Sequence, residues 1–222
     1  MTRVGLLLAG FDRTVAIAAE QHGFDSLWLG DGPLHACTLL GALAAVTSTA
    51  RLGAIVDTTG RNPAVVAKHV TTLDRVSRGR AALAIRAADA GAAEEAVRAA
   101  RATFVDDAIN QPAPLQPGGP PIAVIGAPAV TARHADAAVL VGDAAELAPQ
   151  LDLLARHCSE SARDPATLRT MWLPSGAATP ERIAEAAAAA GIDDVVLDLG
   201  RASVQAVADA GRAVRSVTGA AR

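Results

Sequence analysis

Short apolar runs alternate with stretches of helical periodicity along the whole chain. Eight runs read as strands: 3–9, 25–30, 51–57, 80–86, 121–126, 137–142, 168–174 and 194–199. Most are apolar at nearly every position, as in RLGAIVD and AAVLVG, which is what parallel strands buried on both faces require. Each is followed by a segment able to form a helix. Right-handed crossovers repeated eight times close a parallel sheet on itself. The pattern therefore predicts an α/β protein, a (β/α)8 TIM-type barrel, with residues 1–222 as one barrel domain.

Helix boundaries support this reading. Asn62-Pro63 supplies an N-cap and a proline at the first helical position; Val66, Val70, Leu73 and Val76 then line one face, and Gly79 stops the helix. Thr179-Pro180 repeats that start, and Gly191 ends an alanine-rich helix. Asp143-x-x-Glu146 has the form of a capping box, but Pro149 lacks a donor and predicts a late start or a kink. In the last helix Val204, Val207, Ala208 and Gly211 form a narrow face of small residues. The least regular stretch is 87–120, with a helix pattern near 91–103 and then the proline- and glycine-rich loop QPAPLQPGGPP at 111–121.

Composition narrows the chemistry. Hydrophobic residues make up 51% of the chain, enough for a large core, whereas aromatic residues are only 2% and tyrosine is absent. Alanine and valine must fill that core, so backbones approach closely. Few rings and a net charge of −3 argue against nucleic acid as a ligand. Cys37 and Cys158 form no C-x-x-C pair, and Cys158 follows Leu147, Leu151 and Leu154 at helical spacing, as a buried small hydrophobe would. There is no metal-ligand spacing, no serine-hydrolase elbow and no Walker motif. No apolar run is long enough for a membrane span and no signal-peptide pattern opens the chain, so a cytoplasmic location without membrane association is expected.

Several segments together resemble the luciferase-like monooxygenases. They are Ala19-Glu20-Gln21-His22-Gly23-Phe24-Asp25-Ser26-Leu27-Trp28-Leu29-Gly30-Asp31, then Thr38 to Ser48 with Arg51-Leu52-Gly53, then Arg61-Asn62-Pro63 to Lys68 with Thr72-Leu73-Asp74 and Ser77-x-Gly79-Arg80. Further on, Pro117-Gly118-Gly119-Pro120-Pro121-Ile122 and Asp164 to Arg169 also fit; agreement is strong over 16–86 and patchy over 105–200. The resemblance implies a barrel that binds FMN or the deazaflavin F420 at the carboxyl ends of its strands. It also implies a small organic substrate and a homodimer. Relative to the family, the chain is shortened between strands 4 and 5, where 87–120 replaces a longer cover.

On this basis Asp31 and His35 are the candidate catalytic residues, and Asp57, Thr58, Arg86, Gly126 and Ala127 are the candidate cofactor contacts. Asp31 could equally serve as a helix cap, and Asp57-Thr58 as a turn. Arg61 could reach a phosphate or merely open a helix. Arg86 at a strand end needs a partner if desolvated, and Asp89 is the nearest one in sequence. His22 and His69 read as ordinary helix residues. Three turns depart from the family pattern. Asp31 is followed by Gly32-Pro33 instead of His, Arg86-Ala87-Ala88-Asp89-Ala90 replaces a glycine-rich turn, and Gly126-Ala127-Pro128-Ala129 has a proline where a phosphate would need donors. These departures support an alternative, a non-catalytic barrel acting as a binding or oligomerisation module. A third reading places an anion on Gly200-Arg201-Ala202-Ser203 before the last helix.

Overall fold

The structure, a computed structural model, describes residues 2–106, 108, 110–176 and 178–218. Its strands are β1 (Arg3–Leu8), β2 (Ser26–Gly30), β3 (Arg51–Asp57), β4 (Ala81–Arg86), β5 (Ile122–Ile125), β6 (Ala137–Gly142), β7 (Arg169–Pro174) and β8 (Asp194–Asp198). They pair in parallel, each with the next, and β8 pairs with β1 to close the barrel. The eight helices are α1 (Arg13–Gln21), α2 (Ala36–Ala44), α3 (Pro63–Val76), α4 (Ala90–Val105), α5 (Pro128–His134), α6 (Leu147–Glu160), α7 (Pro180–Ala189) and α8 (Val204–Thr218). The strand runs expected from hydropathy match these elements to within a residue or so at each end.

Strand alternation sorts the core into two clusters. Outward-facing residues such as Leu6, Leu27, Leu52 and Leu83 pack against the helices. Inward-facing residues, among them Trp28, Ile55, Ala84, Val139, Met171 and Val196, fill the barrel. Trp28 is the one large ring inside, and it needs a glycine opposite: a Cβ on Gly53 would lie 2.1 Å from its ring. A core built of alanine leaves the remaining volume to a few large side chains, so each is tightly fitted.

The helix starts act as expected, but two predicted faces are corrected: Val76 is exposed at the end of α3 while Val66, Val70 and Leu73 are buried, and the face of α8 is shifted. Asn62 caps α3 by accepting from Ala64 N at 2.9 Å. Asp143 and Glu146 do form a capping box, but around a single 3-10 turn at Ala144–Glu146. The α-helix starts only at Leu147, so that Pro149 falls in its first turn, where no donor is needed. Cys158 is fully buried with Leu147 and Leu154. In α8, however, Val204 is exposed while Val207, Ala208, Ala210 and Val214 are buried, so the inward face lies further along the helix than its first valine. No helix of the described residues is long and apolar enough to cross a membrane.

The amino ends of the strands are tied together by polar side chains. The Glu20 carboxylate, at the end of α1, accepts from the N–H groups of Ser48, Thr49 and Ala50 at 2.6–2.9 Å. Arg80 donates to the carbonyls of Ser77, Ala50, Thr47 and Ala44, which joins the turns before β3 and β4. Asp74, fully buried, accepts from Leu115 N at 2.7 Å, Gln116 N at 3.1 Å and Gln116 Nε2 at 2.7 Å. It thereby clamps the loop that returns from α4 to β5.

Candidate functional site

At the opposite end, the carboxyl ends of β2, β3 and β4 bring Asp31, His35, Asp57, Thr58 and Arg86 onto one arc of the rim. The turn after β5, with Gly126 and Ala127, continues that arc. Parallel strands in register place the residue after each strand beside its counterpart in the next unit, and Asp57 pairs directly with Arg86 across β3 and β4.

Asp31 is engaged on both oxygens. One accepts from Ala36 N at 2.8 Å and so caps α2, whose own N-cap residue, His35, makes no side-chain cap bond. The other pairs with Arg61 Nη1 at 2.7 Å, and the Asp31 side chain is only 7% exposed. Arg61 therefore neutralises a buried carboxylate here, and the capping alternative for Asp31 is realised. A carboxylate so held, with one bond to each oxygen, fixes the start of α2 and the side chain of Arg61.

His35 meets His69 edge to face, with ring centroids 4.6 Å apart. Desolvation against its neighbours, and then the adjacent His35 ring, push the pKa of His69 down. Cys37 is the second residue of α2, and burial, with Asp31 beside it, pushes its thiol up to about 12. That thiol stays protonated and is no nucleophile at neutral pH.

Thr58 is buried; its N–H and hydroxyl both donate to the Arg86 carbonyl, at 2.9 and 3.2 Å. This ties the ends of β3 and β4 and leaves the hydroxyl oxygen as an acceptor. Asp57 is exposed and accepts from Thr59 N at 2.9 Å. Its hydrogen bonds to Thr59, and then the positive charges of Arg86 and Arg61, hold its carboxyl below the usual range.

Arg86 corrects the expectation drawn from its strand position. It is exposed, not desolvated, and Asp89 caps α4 by accepting from Ala92 N at 2.9 Å instead of pairing with it. The Arg86 guanidinium makes no side-chain hydrogen bond or salt bridge to another described residue. It stands at the mouth as an available cation. Gly126 is exposed at φ +74°, and Ala127 precedes a helix of 7 residues whose first position is Pro128. That turn is short of donors, as its sequence implied.

Glycine lines much of this mouth. Cβ atoms placed on Gly10, Gly30, Gly60, Gly126 and Gly200 would meet nothing within 4 Å, so bare backbone faces open space after β1, β2, β3, β5 and β8. Between the β1 and β8 turns lies a cleft of about 420 Å³ lined by Gly10, Phe11, Asp12, Gly200 and Arg201. Phe11, Leu34 and Val141 are 49%, 63% and 46% exposed on this side. A flat ring could approach such backbone within van der Waals distance and cover those apolar groups. Among the described residues, no group of three or more His, Cys, Asp or Glu side chains is placed to hold a metal ion.

The linear sequence did not reveal the Asp31–Arg61 pair or the His35–His69 contact. Each joins two βα units about thirty residues apart. The only available signal was that the residues occupy corresponding places after successive strands.

Comparison with known proteins agrees with this architecture. The family model for luciferase-like monooxygenases matches residues 10–97. A pyrimidine monooxygenase (RutA) of Methylorubrum extorquens is 34% identical over 84 residues; the match covers 31% of this chain and 22% of that relative's length. The chain thus spans less than a quarter of the curated relative it matches. Among solved structures, an F420-dependent secondary alcohol dehydrogenase in complex with an F420-acetone adduct superposes with a TM-score of 0.82 at 18% identity, covering 96% of this chain and 99% of that one. The coenzyme F420-dependent tetrahydromethanopterin reductase of Methanopyrus kandleri gives 0.77 at 14%, covering 97% and 99%. The monooxygenase RslO1 of Streptomyces bottropensis gives 0.76 at 16%, covering 97% and 98%. At these identities the structural likeness establishes the fold.

Proposed function

From the premise that residues 10–97 are a luciferase-like monooxygenase segment carried on a closed (β/α)8 barrel, we propose that the protein is a flavin- or F420-dependent oxidoreductase acting on a small organic substrate. The observation that carries this reading is the mouth itself: bare glycine backbone after five strands, beside an arc of alternating charge formed by Asp31, Arg61, Asp57 and Arg86. A planar cofactor of FMN or F420 type fits such a surface. Its chemistry, when bound, would be hydride or oxygen transfer, which protein side chains do not provide.

The chain's own residues would do the rest. Arg86 meets an anionic group of the cofactor, with Asp57 beside it limiting how far the cation can swing. The glycine turns, Gly126 among them, and Ala127 let the ring seat against backbone. Thr58 offers its hydroxyl oxygen to a ring-edge donor. Asp31 positions the start of α2 and hence His35, which is the group able to hold or release a proton at the mouth. Two copies are expected to pair as a homodimer through the region of α1 to α3.

One observation favours the alternative of a non-catalytic binding barrel. The short segment after β4 leaves Phe11, Leu34 and Val141 uncovered, and Pro128 weakens the phosphate turn. Titration with FMN and, separately, F420, followed by fluorescence, decides between the two. Saturable micromolar binding that falls at least tenfold in Arg86→Ala supports the oxidoreductase. Absence of binding to either cofactor, in a protein shown to be folded, removes it and leaves the binding module.

A further inference from the structure

The amino end of the barrel holds a second feature that the reading of the mouth does not use. Three arginines point inward from the first residues of their strands: Arg3 on β1, Arg51 on β3 and Arg169 on β7. Among the described residues, Asp194 on β8 is the carboxylate that the arginines hydrogen-bond, and Asp25 and Asp193 add a weaker pull on Arg3. Arg3 binds it through Nε and Nη2 at 2.8 and 3.1 Å, and Arg169 through Nε and Nη2 at 3.3 and 2.9 Å. Oδ2 of Asp194 is thereby shared between two guanidinium groups and Oδ1 is held by Arg3, while Arg51 bonds neither.

The other carboxylates near this end are committed elsewhere. Asp25 accepts from Val4 N, Asp193 from Thr170, and Asp136 from Ile122 N and Arg101. Arg51 makes no side-chain hydrogen bond or salt bridge to another described residue. Burial, and then the like charges of Arg3 and Arg169 against the pull of Asp194, lower its pKa, so the cation is held in an unfavourable place.

Beside it is space. The strands across the barrel present Ala82, Ala123 and Ala137 at this level, and these small side chains leave a cavity of about 70 Å³ floored by Trp28 and Met171. Arg3, Arg51 and Arg169 line it together with Asp194, Asp25 and Asp136, the last two held by Val4 N and by Ile122 N with Arg101, and it opens to solvent at the amino ends of the strands. A guanidinium with five unshared N–H donors, flanked by two more cations at the edge of a small cavity, matches a tetrahedral oxyanion in charge and hydrogen bonding.

We infer that this end of the barrel binds a small oxyanion of the phosphate class, held by Arg51 and flanked by Arg3 and Arg169, at a site separate from the mouth. The anion supplies the charge that Asp194 cannot, and so couples its concentration to the stability of the barrel.

The test uses the whole chain and inorganic phosphate. Thermal unfolding is followed in phosphate and in chloride at equal ionic strength, with isothermal titration for the stoichiometry. The expected result is one site per chain and a saturable rise in Tm of about 5 °C at phosphate a hundredfold above Kd. That rise disappears in Arg51→Met and persists in Arg86→Ala. In chloride alone, Arg51→Met is as stable as the parent or more so, because an unpaired repelled charge has been removed.

An equal rise in parent and Arg51→Met overturns the inference, since excluded-salt stabilisation acts on any fold. Loss of the rise in Arg86→Ala instead of Arg51→Met also overturns it and places the anion at the mouth. Should Arg51→Met fail to fold, Arg51→Lys keeps the charge without the fork. Phosphate affinity weakened about tenfold in that variant supports the site, and unchanged affinity overturns it.

Discussion

The two ends of the barrel are built on opposite principles. At the amino end, charged and polar side chains reach across turns to bind backbone: Glu20 to three successive N–H groups, Arg80 to four carbonyls, Asp74 to the loop before β5. At the carboxyl end glycine lines several turns, Asp57 and Arg86 are exposed, and Arg86 makes no side-chain hydrogen bond or salt bridge among the described residues. A barrel must satisfy its buried polar groups somewhere, and doing so at one end leaves the other free to be open. The segments that resemble luciferase-like monooxygenases fall heavily on the tied end. Glu20, Asp74, Ser77 and Arg80 all belong to them, and all serve structure.

Substitutions at the two ends should therefore separate stability from binding. The largest loss is expected for Asp74→Ala, which strips a fully buried acceptor from three donors. Uncompensated donors of this kind cost about 3 kcal/mol, readable as a lower urea midpoint with an unchanged slope. A loss under about 1 kcal/mol would show that the return loop is held by other contacts.

Arg80→Met should follow at about 2 kcal/mol, since it leaves carbonyls of two turns without their shared donor while keeping an aliphatic stem. An equal loss in the binding of FMN or F420, beyond what unfolding explains, would contradict the separation of the two ends.

Glu20→Gln is expected to cost about 1.5 kcal/mol near neutral pH. Its cost should also depend on pH. Burial pushes the Glu20 carboxyl up, but the N–H groups of Ala50, Thr49 and Ser48 outweigh burial and hold it below its ordinary range. The folded protein thus keeps the proton off more strongly than the unfolded chain does. Its contribution is complete above the unfolded carboxyl value and is lost as pH falls through the folded one. Stability of parent and variant should converge only at pH values below the ordinary glutamate range. Parallel pH curves would refute this account of the turn.

The smallest effect on stability is expected at the mouth. Arg86→Ala should change it by less than about 0.5 kcal/mol, because the side chain is exposed and makes no hydrogen bond or salt bridge among the described residues. Cofactor affinity is the quantity it should move. A stability loss above about 1.5 kcal/mol would mean that the rim, too, is structural.

Much of the fold was legible in advance because its causes are local. A continuous apolar run marks a strand buried on both faces, and Asn62-Pro63 or Thr179-Pro180 marks a helix start, wherever the rest of the chain goes. Even the delayed start of α6 followed from Pro149 alone. The candidate site was legible only as a set of strand ends. Asp31 was assigned both a functional and a capping reading, and the choice depended on Arg61, which lies one βα unit later. Arg86 would have needed a partner such as Asp89 had it been desolvated, but the strand ends where solvent begins.

By itself, then, the sequence determined the order, kind and limits of the elements, and with them closure of the sheet, since periodicity, caps and proline act within a few residues. Partnership was decided only by the tertiary structure. It set that Arg3 and Arg169 meet Asp194, why Gly53 faces Trp28, and why Arg51 makes no salt bridge among the described residues. Those outcomes depend on the register and closure of eight strands, which bring residues distant in the chain to one level of the barrel. A charge has no preferred partner until that geometry fixes the distances over which Coulomb forces and hydrogen bonds act.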